Sequence, residues 1–216
     1  MPQDYEDNSN EFWERQRQIY KSAYVTLALL IGNIAVFVAG TTITPGIYSK
    51  GAMYSLAVLN EGQLYRVVTS MFLHADMNHL FNNMMMLGLV GAIIEQYTGH
   101  IVYFILYFLS GIFGNLLSMA YEMRNDLNWV SLGASGAIMG LVGFLVIWLV
   151  IYRKLLMADR SMLFRLVLLG LFVVEACFFQ KGANLAAHLG GFLTGIVFGI
   201  INIVLFNNRK NMEGIV

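Results

Sequence analysis

Long stretches without charge alternate with short polar segments along this chain. No Asp, Glu, Lys or Arg lies between Lys21 and Lys50, nor within residues 77–94, 96–121, 127–152 or 182–208. Each stretch meets or exceeds the roughly 18 residues that a bilayer-crossing helix needs. A sixth apolar stretch, about 161–180, is interrupted by Arg165 near one end and Glu175 further in. The pattern predicts an all-α membrane protein with six transmembrane helices, at about 24–43, 78–97, 100–121, 132–152, 161–180 and 184–207.

The connection of about 44–76, between helices 1 and 2, is much longer than the others. Met53, Tyr54, Leu56, Val58, Leu59, Leu64, Val67, Met71 and Leu73 make it unusually apolar for a solvated loop. Long ordered loops are usually functional, and this one is expected to lie partly embedded in the bilayer. The domain is expected to span 22–208, between a short head of 1–21 and a tail of 209–216. The segment from Glu11 to Tyr24 reads as a short interfacial helix. The first apolar run is too long for a signal-peptide core and lacks a convincing cleavage site, so it counts as a helix.

Composition agrees, with 58% hydrophobic and 12% charged residues, against about a quarter charged in soluble domains. The net charge is zero, which removes any electrostatic case for nucleic acid. Charge distribution is more informative. Arg15, Arg17, Lys21, Arg153, Lys154, Arg160, Arg165, Arg209 and Lys210 fall on one side of a six-span topology. Lys50, Arg66, Arg124 and Lys181 fall on the other. The positive-inside rule then places both termini in the cytoplasm and the long loop outside. The single Cys177 excludes an internal disulfide.

Candidate chemistry gathers at the external ends of three helices. In Gly133-Ala134-Ser135-Gly136 a serine opens helix 4, where free amides and the helix dipole favour developing negative charge. The same small residues equally suit tight helix packing. On helix 6, His188, Gly191, Gly195 and Gly199 share one face. Helix 4 offers Gly136, Gly140 and Gly143 to match. Pressing these glycine faces together would bring the Ser135 hydroxyl to the His188 imidazole, as a nucleophile needs. His79 and Asn83, four apart at the start of helix 2, are either oxyanion donors, together with the Ser135 amide, or interhelical hydrogen-bond glue. His74 lies off their face and is expected to brace the loop. No H-E-x-x-H string supports a metal site, and no paired intramembrane aspartates occur. No cofactor is expected.

Together these residues resemble the rhomboid family of intramembrane serine proteases, over about residues 60–200. The G-x-S-G string is Gly133 to Gly136, implying Ser135 as nucleophile. Ala187-His188, Gly191 and Gly195 match A-H-x-x-G-x-x-x-G, implying His188 as general base. His79 and Asn83 match H-x-x-x-N, implying oxyanion stabilisers, with His74 at the family's upstream spacing. Tyr65-Arg66 stands where the family has W-R, and Gly91 with Glu95 matches G-x-x-x-E. Met139 replaces an aromatic ring that often packs on the catalytic histidine. The short single-domain form resembles the bacterial six-transmembrane members, implying the plasma membrane.

The resemblance implies hydrolysis of peptide bonds in or near transmembrane segments of protein substrates that enter laterally from the lipid bilayer. Helix 5, with Phe172, Phe178, Phe179 and Glu175, is the expected gate, and Glu175 serves either the gate or a structural pairing. Ser131, Asn128, His79 and Asn83 are expected to wet a cavity around the dyad. Asp76 and Glu175 are the acids available as a third catalytic member. A relative that binds transmembrane helices without cutting them is the rival reading. A small transporter is disfavoured by the lack of an inverted repeat.

Overall fold

The apolar stretches emerge as helices in the computed structural model, which describes residues 13–14, 16–44, 46–154, 160–175 and 182–208. We number them α1 (Tyr24–Thr42), α2 (Met77–Thr98), α3 (His100–Arg124), α4 (Ser135–Ile151), α5 (Arg160–Val174) and α6 (Leu185–Leu205). Helices α1, α2, α3 and α6 are each long and apolar enough to cross a bilayer, and the chain is a multi-pass membrane protein. Residues 16–22, within the expected interfacial segment, are helical. Glu11 and the tail of 209–216 lie outside the described residues.

Helix α4 is different in kind. Its 17 residues are apolar on every side, and Gly136, Leu141, Phe144 and Trp148 are among the many that are buried. A helix apolar all round is one that others surround. Seventeen residues rise about 25 Å, less than the roughly 30 Å of a bilayer's hydrocarbon. Ser135 is the first residue of this central helix.

The glycine faces meet as the pattern suggested. A Cβ built on Gly191 would run into the Gly136 carbonyl, and one on Gly195 into the Gly140 carbonyl. Helix α3 also joins this seam, which the glycine spacing predicts only for helices 4 and 6. A Cβ on Gly114 would lie 2.7 Å from the Ala187 oxygen, and one on Gly190 would lie 2.8 Å from the Phe113 oxygen. Backbones can approach this closely only where side chains are missing, and such packing drives helix association in lipid. Beside the seam, Tyr103, Leu106 and Tyr107 of α3 pack with Leu141, Phe144 and Trp148 of α4 and with Leu87 and Ile94 of α2.

Helix α2 is irregular in the middle, with a π-helical stretch at Leu87–Gly91. At its far end Glu95 is buried and caps a different helix. Its Oε1 accepts from the Val25 N–H at 2.9 Å, and its Oε2 accepts from the Thr26 N–H and hydroxyl, both at 2.7 Å. Helix α1 has no side-chain cap of its own from Ala23. A carboxylate from α2 thus satisfies the first-turn amides that α1 would otherwise leave unpaired. His100 Nδ1 lies 2.6 Å from the same carboxylate.

The long connection between α1 and α2 is built rather than slack. It contains short helices at Gly46–Gly51, Ser55–Glu61 and Arg66–Thr69 and a 3-10 turn at Ser70–Phe72. Met53–Tyr54 (β1) pairs antiparallel with Val130–Ser131 (β2), Met53 opposite Ser131. Much of the apolar content that suggested embedding in lipid is turned onto protein instead. Ala52, Met53, Val58, Met71 and Leu73 are buried, whereas Leu56, Leu59, Leu64 and Tyr65 face outward. Composition alone does not distinguish a protein-facing side chain from a lipid-facing one. Arg66 fastens the segment. Its Nε donates to Gln63 Oε1 at 2.6 Å, and its Nη1 to the Ser49 and Ala52 oxygens at 3.0 and 2.7 Å.

Candidate active site

The turn into α4 is set by Gly133, whose φ of +130° strains any residue with a side chain. The Gly133 N–H donates to the Ser70 oxygen at 2.9 Å, which ties this turn to the long connection. A Cβ here would also lie 2.8 Å from the His79 ring. Ser135 follows as the first residue of α4, so its backbone N–H belongs to the first-turn amides that lack an intrahelical acceptor.

His188 lies in the first turns of α6, buried to 6% exposure. Asn184 caps that helix, its Oδ1 accepting from the Ala187 N–H at 3.0 Å. The His188 N–H donates to the Asn184 oxygen, also at 3.0 Å. The glycine seam then sets the two helices close enough for His188 Nε2 to lie 2.9 Å from Ser135 Oγ. This is hydrogen-bond distance between a hydroxyl and a potential base. Among the described residues the buried His188 Nδ1 has no hydrogen-bond partner. Asp76, one acid considered as a third member, instead caps α2, its Oδ1 accepting from the His79 N–H at 2.9 Å. Glu175, the other, is exposed just beyond α5. Neither carboxylate holds the imidazole.

His79 Nδ1 accepts from the Ala75 N–H at 3.4 Å. That contact assigns the ring proton to Nε2, which faces Gly133 beside the serine. Asn83 is buried, and its amide donates to the His79 oxygen at 2.8 Å. It braces the turn that carries His79 and does not line the cavity described below. His74 packs edge-on against His79, ring centroids 5.1 Å apart, and the Tyr48 hydroxyl donates to the His74 oxygen at 2.9 Å. Burial, with His79 close by, lowers the His74 pKa to about 3, so this ring is neutral at neutral pH. Met139, one turn after Ser135, is half-buried against the main core.

A cavity of about 1060 Å³ opens over the pair, lined by Ser135, His188, His79, Ser131, Trp129 and Asn184, among others. Ser131 and His79 are among the residues expected to wet it. Asn128 instead donates to the Tyr54 hydroxyl at 3.3 Å. Of the expected gate, Phe178 and Phe179 lie outside the described residues, and Phe172 is described only as backbone within α5.

One buried acid lies outside the residues that the sequence singles out. The apolar pattern predicts an end of helix 3 near 121, but α3 continues to Arg124 and buries Glu122. Its Oε1 accepts from the Ser118 hydroxyl at 3.1 Å and its Oε2 from the Ser55 hydroxyl at 2.7 Å. The spacing of Ser118 and Glu122, four apart on one helical face, was the available signal.

The arrangement can activate a serine hydroxyl and offers N–H donors beside it, the functional minimum for acyl transfer. Comparison with known proteins points the same way. The family model for the Rhomboid domain matches residues 61–204. Rhomboid-like protease 3 of Toxoplasma gondii is 32% identical, over 87% of this chain and 69% of that protein. Rhomboid-like protease 1 of the same organism is 34% identical, over 74% and 53% respectively. RHOMBOID-like protein 1 of Arabidopsis thaliana is 30% identical, over 76% of this chain but 42% of that protein. The chain spans about half the length of several curated relatives it matches.

Proposed function

The chain belongs to the rhomboid family, and from that premise we propose that it is an intramembrane serine endopeptidase acting through a Ser135–His188 dyad. The observation that carries this reading is the 2.9 Å approach of His188 Nε2 to Ser135 Oγ beneath an open cavity. A serine alone is a weak nucleophile, and a base within hydrogen-bond reach is what activates it.

In this mechanism Ser135 Oγ attacks the scissile carbonyl carbon while His188 Nε2 takes the hydroxyl proton. The tetrahedral oxygen carries the negative charge, which the Ser135 backbone N–H and His79 Nε2–H would meet at the positive end of α4. His188 then passes its proton to the leaving amine, and the carbon–nitrogen bond breaks. Water attacks the acyl-enzyme in the reverse sense, with His188 again as base. Asn83 supports this site by holding the turn on which His79 stands. No carboxylate contacts the His188 imidazole here; the glycine seam and the Asn184 cap hold its helix.

We infer the substrate class from the family and from the apolar helices that carry the dyad. An intact helix in lipid hides its carbonyls in its own hydrogen bonds, so cleavage requires local unwinding of a transmembrane segment. We propose that such segments enter laterally from the bilayer past α5, with Phe172 and Glu175 at that passage. We further propose a protease domain at 22–208 with six spans, its flanks 1–21 and 209–216 cytoplasmic, in the plasma membrane. The positive-inside distribution of Lys and Arg supports this orientation.

The test is cleavage of model transmembrane substrates by purified protein. Wild type is expected to cleave and Ser135→Ala to be inert. Equal cleavage by both, or none by wild type across several substrates, rejects the reading.

A further inference from the structure

Glu122 is a buried carboxylate near the C-terminus of α3, a position that the helix dipole disfavours. The proposed dyad does not use it, and its hydrogen bonds lead to α6. Ser118, fully buried, donates to Glu122 Oε1 and in turn accepts from Asn184 Nδ2 at 2.7 Å. Asn184 Oδ1 accepts from the Ala187 N–H, and the next N–H, that of His188, donates to the Asn184 backbone carbonyl in the first helical turn. On its other side Glu122 accepts from Ser55, in the connection between α1 and α2.

The bonds run in one consistent direction. The Ala187 N–H can only donate, so Asn184 turns its oxygen to the first turn of α6 and its nitrogen to Ser118. The Ser118 oxygen accepts that bond, and its hydrogen is left to donate to Glu122 Oε1. Glu122 supplies the acceptor on which the chain ends. A satisfied buried chain of hydrogen bonds polarises along its length.

We propose that Glu122 is a positioning residue, acting through Ser118 and Asn184 to fix the start of α6 and so the placement of His188 on Ser135. It touches neither the dyad nor the cavity. The inference rests on the Ser135–His188 reading for its kinetic consequence and not for its structural one. Ser55 extends the same anchor to the long connection, so that segment and the histidine helix share one fixed point.

The test compares wild type, Glu122→Gln, Asn184→Ala and the double variant, with Glu122→Asp as the conservative change. Glu122→Gln keeps the shape but can turn its amide nitrogen toward Ser118, which removes the acceptor of the Ser118 hydroxyl and loosens its hold on Asn184. Hydrogen exchange at residues 185–189 is expected to speed up about tenfold in Glu122→Gln, with the unfolding temperature of the rest of the fold little changed. Labelling of Ser135 by a fluorophosphonate, and kcat on a model transmembrane substrate, are expected to fall about tenfold or more while KM holds. A displacement of about 1 Å in a reacting group has effects up to a hundredfold. Asn184→Ala is expected to give the same losses, and the double variant no more than either alone.

Additive losses in the double variant, or unchanged exchange at 185–189 in Glu122→Gln, overturn the proposal. If wild type is itself unlabelled and inert, the protease reading fails, while the exchange measurement still decides the relay. Equal loss of kcat with general unfolding in both Glu122→Gln and Glu122→Asp assigns Glu122 to stability alone and also overturns it.

Discussion

Gly191→Ala puts the seam between α4 and α6 under direct test. The added methyl would meet the Gly136 carbonyl, backbone against backbone, so no side chain can swing aside. A carbon normally stands about 3.3 Å or more from a carbonyl oxygen, and reaching that distance requires the helices to part by on the order of 1 Å. Gly136 follows Ser135 directly, and Gly191 lies one turn beyond His188 on the same face. The parting is therefore transmitted to the dyad, taking the 2.9 Å contact out toward about 4 Å, beyond hydrogen-bond range. Overpacking of this kind costs about 1–3 kcal/mol, and a displacement of about 1 Å at the reacting atoms about a hundredfold in rate. Gly88→Ala is the control, since a Cβ at Gly88 meets nothing within 4 Å, and its effect should stay within about 0.5 kcal/mol. Thermal unfolding in detergent and the rate of fluorophosphonate labelling measure the two consequences. If Gly191→Ala labels and melts like Gly88→Ala, the glycine seam does not set the dyad and the geometric argument is wrong.

The remaining predictions concern the supports of the site. Glu95→Gln turns an amide nitrogen toward the N–H groups of Val25 or Thr26 and should lower stability by about 1.5–3 kcal/mol. Labelling of the folded fraction should be unchanged, because Glu95 lies near the opposite end of α2 from His79. Arg66→Lys should destabilise by about 1–3 kcal/mol despite keeping the charge, since an ammonium cannot reproduce the forked contacts to Gln63, Ser49 and Ala52; chemical unfolding checks this. Asp76→Ala should cost about 1 kcal/mol through the lost cap of α2 and leave Ser135 reactive, whereas a triad role would abolish labelling. His74, near 3 when folded, titrates near 6.5 when unfolded. Between those values the unfolded chain binds more protons, so stability falls as pH drops through that window. His74→Gln should flatten the decline between pH 6 and 4, read as unfolding temperature against pH.

Sequence determined the class of this protein directly. Stretches free of charge state where lipid can lie, because an unpaired charge there is costly, and the glycine spacing on helices 4 and 6 predicted which faces meet. Ser135, His188 and His79 were legible because each carries a recognisable group at a periodic position. What sequence could not determine was contact between elements far apart in the chain. The apolar residues of 44–76 read the same whether they face lipid or α3, and only the packed structure turns Met53, Met71 and Leu73 inward. Glu95 as a cap for α1, Asp76 committed to α2, and Glu122 reaching Asn184 through Ser118 all depend on where helices sit relative to one another. Periodicity fixes the face a side chain occupies, but the partner of a hydrogen bond is decided only when two faces come within about 3 Å. In this chain that distance is set by glycines, which carry no chemistry themselves and bring together the residues that do.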